Sequence, residues 1–188
     1  MQPLRRDVAH NRERIEEAAR RLIVDGEIPG LNAVARAAGV GVATVYRHFA
    51  TVAELEEALV GDRFRALEAT LEDVRPGQLE EVLTTHVTLL VEDALFERVT
   101  ARPVPASAGT AEARDALIAG LQTLLDRAAA AGEIRDDVGA GEVLALLCGV
   151  AHSIRSSPAP TTAPRDSVLL RVVLDGLARP AQDRSGTR

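Results

Sequence analysis

Residues 38–49 read AGVGVATVYRHF and gather, in a dozen positions, groups suited to hold phosphate or to read a base edge: Gly39, Gly41, Thr44, Tyr46, Arg47 and His48. Two chemistries compete for them. Gly39-Val40-Gly41 opens like a GxGxxG loop, whose backbone amides cradle a phosphate. The third glycine position is Thr44, however, and that motif needs a strand before it and a helix after it. A helical pattern precedes it here, so the phosphate loop fails. The other chemistry is recognition of duplex DNA by a helix laid in the major groove. Val45 and Phe49, four apart, would dock such a helix, while Ala43 and Arg47 point the opposite way. Tyr46 flanks them on one side, Thr44 and His48 on the other. A guanidinium pairs bidentately with guanine, and Val42 or Ala43 can meet a thymine methyl. Hydroxyl, phenol and imidazole groups suit phosphate oxygens, which set register. A plainer reading has the same residues as the wet side of three core helices.

Little else in the chain could do chemistry. Its four histidines, His10, His48, His86 and His152, are dispersed, and there is a single cysteine, Cys148, and no lysine. A phosphate-loop lysine, a Schiff base, an intrachain disulfide and a cysteine metal cluster are thereby excluded. Neither HExxH nor GxSxG occurs, so no enzymatic activity, cofactor or metal is expected. Cys148 lies inside the apolar run 143–151 and reads as packing. His86 sits on an apolar helical stripe, where it is either a ligand anchor or a satisfied core histidine. His152, near the end of its helix, reads as part of a dimer seam.

The elements that would position these groups are helical. Of 188 residues, 46% are hydrophobic and only 2% aromatic, so the core must be aliphatic. Ile15, Ala18, Ala19, Leu22 and Ile23 recur at helical spacing and predict a first helix over about 9–24, ended by Asp25-Gly26. Leu31 to Ala38 predicts a second, with Gly39 at its C-terminal side. Gly41 to Phe49 predicts the third. Thr51-Val-Ala-Glu54 reads as a capping box opening a long fourth helix to about residue 74. Further helices are predicted over about 79–101, from Thr110 to Gly132, and over about 139–156 and 166–178. The last two are apolar nearly all round, with Gly141, Ala145 and Gly149 as a row of small residues. Such helices need cover on more than one side, which a homodimer supplies. The dimer residues expected on them are Val143, Leu146, Leu147, Val150, Leu170, Val173 and Leu174. Residues 179–188 read as a solvated tail.

Net charge is −6, unpromising for a DNA partner, but it is unevenly spread. Residues 1–50 carry eight arginines against six acids, a net of +2, and the remainder nets −8. The first residues contain no apolar signal segment, and no run is long enough to cross a bilayer. A cytoplasmic protein is expected.

IEEAARRLIVDGE, then LNAVARAAGVGVATVYRHFA, then the capped fourth helix resemble the TetR family of transcriptional regulators. AGV-x-x-x-T-x-Y-x-HF is the signature, strongest over about residues 10–60. AGEIRDDVGAGEVLALLCGV resembles the family's C-terminal domains more loosely.

The resemblance implies an all-α homodimer. Residues 1–50 would form the three-helix DNA-binding domain, and 51–178 a helical ligand-binding and dimerisation domain, about nine helices in total. By position, family DNA contacts fall on Thr44, Tyr46, Arg47 and His48, with Asn32, Val42 and Ala43 beside them. The family often has Ser at position 41 and Lys at 52, each near a phosphate; Gly41 and Val52 stand here, and Arg5 and Arg6 could compensate from an N-terminal arm. The expected effector site is apolar with a few polar anchors: Phe64, Leu67, His86, Leu90, Phe96 and Leu121. The fourth helix, shared by both domains, would be the lever by which an effector releases a palindromic operator, most often relieving repression. A second expectation is a degenerate member that keeps fold and dimer and acts as a ligand sensor or protein-interaction module without DNA binding.

Overall fold

The computed structural model describes residues 3–24, 27–28, 30–72, 74–75, 77–157 and 163–179. Among them the chain forms nine α-helices and one turn of 3-10 helix, with no strand beyond two isolated bridges. The helices are α1 (Pro3–Leu22), α2 (Leu31–Ala38), α3 (Val42–His48), α4 (Val52–Glu72), α5 (Leu79–Glu92), α6 (Ala94–Ala101), α7 (Ala108–Ala130), α8 (Ala140–Arg155) and α9 (Val168–Leu177). No described helix is long and apolar enough to cross a membrane.

These helices fall into two compact units. The first holds the described residues up to Arg65 together with Asp93–Arg114; the second holds Ala66–Glu92 and the described residues from Asp115 onward. Helix α6 therefore groups with the N-terminal helices, and α4 and α7 each contribute to both units.

In the first unit Ile15, Ala18 and Ala19 of α1 are fully buried, as are Val34 of α2 and Val45 of α3. Gly39 ends α2 at φ 63°, a left-handed conformation that a side chain would resist. Arg14 reaches from α1 to that end, its Nη2 donating to the Ala38 carbonyl at 2.6 Å. One cationic side chain thus satisfies an orphan carbonyl and ties α1 to α2. Asp25 and Gly26, expected to end α1, lie outside the described residues. Helix α1 begins earlier than the periodicity suggested, and Arg5 and Arg6 are on its backbone rather than in an extended arm.

Thr51 caps α4 as expected: its Oγ1 accepts from Glu54 N at 3.1 Å. The reciprocal bond goes one residue further back, from Ala50 N to Glu54 Oε2 at 2.8 Å.

The long helix expected over 79–101 is two helices. Asp93 leaves helical geometry at φ −119°, ψ 93°, and its carboxylate accepts from Phe96 N at 2.9 Å, so it caps α6. Apolar residues continue through the break, which is why hydrophobic spacing alone ran across it. Ser107, rather than Thr110, caps α7, accepting from Thr110 N at 3.2 Å.

In the second unit α5 packs on α8, and α9 packs on α8. Gly132, at φ 76°, turns the chain out of α7. The segment that follows is pinned to the end of α9 by Arg135 N donating to the Leu177 carbonyl at 2.9 Å and Arg179 N to the Glu133 carbonyl at 3.3 Å. Arg179, expected in the tail, is therefore part of the fold; residues 180–188 lie outside the described ones.

Candidate nucleic-acid interface

Helix α3 is seven residues long, too short to hold itself in water, and it persists by packing. Val45 is fully buried and Phe49 is 2% exposed. The guanidinium of Arg12 lies 4.8 Å from the Phe49 ring centroid, over its face, so α1 covers the docking side of the α3 end. With Val45 and Phe49 held inward, the opposite side is presented to solvent.

Val42, Ala43, Tyr46 and Arg47 are exposed, Tyr46 at 50%, and Asn32 is exposed on α2. Thr44 and His48 are half-buried at the flanks. The Arg47 Nη2 donates to Thr44 Oγ1 at 3.0 Å, which holds the guanidinium along the outer face one turn back. All seven residues singled out for DNA thus lie on α3 or the exposed side of α2. Gly41 precedes α3 in extended geometry and supplies no capping side chain.

The residues singled out for an effector are all buried but divide between the units. Phe64 and Phe96, in the first, pack edge to face with centroids 5.1 Å apart, so each fills the space beside the other. Leu67, His86, Leu90 and Leu121 belong to the second. There, His86 is 2% exposed and its Nε2 has no hydrogen-bond partner. Burial pushes its pKa down to about 4, so the imidazole is neutral at neutral pH.

The expected dimer residues turn mostly inward. Val143 and Leu147 are fully buried and Leu170 nearly so; Val150 is buried, while Val173 and Leu174 are half-buried. Leu146 alone is well exposed, at 47%. The free apolar surface lies on the other side of both helices: Gly141, Ala145, Leu146 and Gly149 of α8, and Val168, Leu169 and Val172 of α9. Large aliphatics attract the eye in an apolar run, but the core of the unit had already claimed them.

Sequence reading missed a buried ionic cluster in the first unit. Glu56 and Glu57 of α4 are each 1% exposed. Arg102 donates to Glu56 at 2.6 Å and to Glu57 at 2.9 Å, and Arg98 pairs with both Glu56 and Glu27. Glu57 also accepts from Ala106 N at 2.6 Å and Ser107 N at 2.8 Å, at the start of α7. Burial alone would raise the Glu57 pKa, but these amide bonds, with Ser107, Arg102 and Thr110, hold it below the usual carboxylate value. The available signal was the pair of acids inside the apolar frame Leu55, Leu59, Val60.

No group of histidines, cysteines and acids able to hold a metal occurs among the described residues.

Two family models match the chain. Residues 15–59 match "Bacterial regulatory proteins, tetR family", and residues 78–179, more than half the chain, match "Transcriptional regulator SbtR-like, C-terminal domain". The chain belongs to the TetR family. Solved TetR-like structures share its fold. The transcriptional regulator FadR from Bacillus subtilis, in complex with stearoyl-CoA, is 16% identical with a TM-score of 0.59, over 88% of this chain and 98% of its own. SmeT in complex with triclosan is 23% identical with a TM-score of 0.58, over 95% and 96%. A putative TetR-family regulator from Rhodococcus sp. is 22% identical with a TM-score of 0.58, over 89% and 98%. No curated protein sequence matches. As a TetR-family member this is a transcription regulator, and α2 and α3 lie within the residues that match the family's N-terminal model.

Proposed function

We propose that the protein is a ligand-responsive regulator that binds a palindromic DNA operator as a homodimer and is released by a small-molecule effector, acting as a repressor. The observation that carries this reading is the two-sidedness of α3: Val45 and Phe49 are locked inward while Val42, Ala43, Tyr46 and Arg47 face solvent. Arg47 reads guanine, Val42 and Ala43 sense thymine methyls, and Asn32, Thr44, Tyr46 and His48 hold phosphates. Residues 1–50 are the DNA reader, residues 51–178 the regulatory and dimerisation part, and α4 the connection between them.

The homodimer rests on the exposed small and aliphatic face of α8 and α9. Glycines and Ala145 let a second copy approach closely, and Leu146, Leu169 and Val172 supply area to bury. Two α3 helices then address half-sites about 34–36 Å apart. An effector favouring a different spacing releases the operator by its differential affinity for the two arrangements.

The test is selection of the purified protein on random duplexes at two salt concentrations. An enriched palindrome whose affinity falls steeply with salt is expected. A folded dimer that enriches nothing at low salt, with or without candidate effectors, would leave a sensor without DNA binding. The acidic net charge and the uncapped Gly41 favour that second reading.

A further inference from the structure

In the second unit a cavity of about 190 Å³ is lined by Leu79 and Leu83 of α5, Ile134, and Leu174 and Leu177 of α9. Leu79, Leu83 and His86 are spaced i, i+4, i+7 and share one face of α5, with His86 a turn beyond the residues that line the cavity. A buried polar atom left without a partner is costly and uncommon, and the His86 Nε2 is one. The larger cleft of the first unit, about 550 Å³, differs: charged side chains line it, among them the pairs Arg12 with Glu16 and Arg65 with Asp62.

We propose that the cavity beside Leu79 and Leu83 is the mouth of the effector site, that His86 Nε2 is its inner polar anchor, and that the effector is an uncharged aliphatic molecule carrying a hydroxyl group.

The hydroxyl follows from the anchor. A neutral imidazole nitrogen is either a donor or an acceptor, and a hydroxyl satisfies it in both tautomers. The aliphatic body follows from the walls. Tyr46, Phe49, Phe64 and Phe96, the only aromatic residues of the chain, all belong to the first unit, so the second offers no ring to stack on. The lack of charge follows from the cavity rim and from the anchor. Exposed carboxylates of Glu80 and Glu133 line the cavity and repel an anion. A buried ammonium would need a counter-charge that a neutral imidazole does not supply.

This inference rests on the proposed effector response. The experiment is calorimetric titration of the full chain with 1-octanol, octanoate and octylammonium at pH 7, repeated on His86→Leu and His86→Gln. We expect 1-octanol to bind about tenfold more tightly than either ion, His86→Leu to lose about tenfold toward it, and His86→Gln to recover most of that loss. Octanoate or octylammonium matching the alcohol overturns the inference, as does absence of binding by all three. Equal alcohol affinity in His86→Leu overturns it too. Should His86→Leu not fold, loss of alcohol selectivity in His86→Gln with no shift of the imidazole resonances of the unaltered protein on adding 1-octanol is the overturning result. Operator selection on the ligand-free protein is a separate readout. A protein that enriches a palindrome but ignores 1-octanol overturns only this inference, and the reverse overturns only the regulator reading.

Discussion

The guanidinium of Arg102 bridges the two buried carboxylates of α4, with Nη1 2.9 Å from Glu57 and Nη2 2.6 Å from Glu56. Because Glu57 also accepts from the Ala106 and Ser107 amides just before α7, this cluster links the end of α6, the first turns of α4 and the approach to α7 within a single unit.

Arg102→Ala should therefore destabilise the protein by about 3 kcal/mol, the low end for breaking a buried pair, since Arg98 still reaches Glu56. Arg102→Lys should fall between, because an ammonium cannot fork to two carboxylates. Urea unfolding followed by circular dichroism measures both. A loss below about 0.5 kcal/mol for Arg102→Ala would mean that the cluster contributes nothing net.

Arg47→Ala should cost about 1–3 kcal/mol of operator affinity and relax the preference at one base pair per half-site. Thr44→Ala removes the 3.0 Å bond that orients Arg47 and should weaken binding less. Fluorescence anisotropy on the selected operator and on single-base variants separates base reading from phosphate contact.

Gly41→Ser should improve binding. The Gly41 φ is −63°, open to any residue, and a Cβ there would meet only Thr44 Oγ1 at 3.7 Å, ordinary contact. The new hydroxyl caps α3 and offers a phosphate contact where the family often has serine. A few tenths of a kcal/mol in stability and a severalfold gain in affinity are expected. Melting and anisotropy read the two effects independently.

Leu146→Glu, and separately Val172→Glu, should convert the proposed dimer to folded monomers, since both side chains face away from their own core. Sedimentation equilibrium gives the state, and operator affinity should drop with it. Val143→Glu should instead unfold the chain, as that side chain is fully buried. Dimers that persist in both surface variants would place the interface elsewhere.

Acidification should destabilise the fold. His86 falls from its ordinary 6.5 to about 4 on burial, so the unfolded chain binds a proton that the folded chain refuses. Stability from this group is full above pH 6.5 and declines as pH falls toward 4, by up to about 3 kcal/mol. Glu57, held below its ordinary value, acts in the same direction at lower pH: its contribution is present above the unfolded carboxylate range and lost below it. His86→Leu should flatten the profile between pH 6.5 and 4, which denaturant titrations across that range would reveal.

The all-α fold and α2 were legible in the sequence because local signals agreed there: helical spacing, Gly39 at a left-handed end, a threonine cap before α4. The outward set on α3 was legible for the same reason, since two inward residues four apart determine the rest of a seven-residue helix. Three features were not legible. Asp93 breaks an apolar stripe with a cap that spacing does not register. Glu56 and Glu57 look like solvated acids until Arg98 and Arg102 arrive from more than forty residues away. α8 and α9 are apolar or small nearly all round, so periodicity could not say which side the chain's own core would take.

The first unit is assembled from two stretches of chain, and that bears on how the protein is made. Glu57 and its partner Arg102 are separated by 45 residues, and the Ala106 and Ser107 amides that donate to Glu57 come later still. Until α6 and Arg102 have been synthesised, the two carboxylates of α4 meant for the interior have no arginine partner. N-terminal domains commonly fold first during synthesis. Here the first unit can bury Glu56 and Glu57 as ion pairs only after α6 has been made, so its completion waits on the later of its two stretches of chain. Moving only residues 1–50 of this chain into another protein would part Glu27 from Arg98, its ion-pair partner on α6.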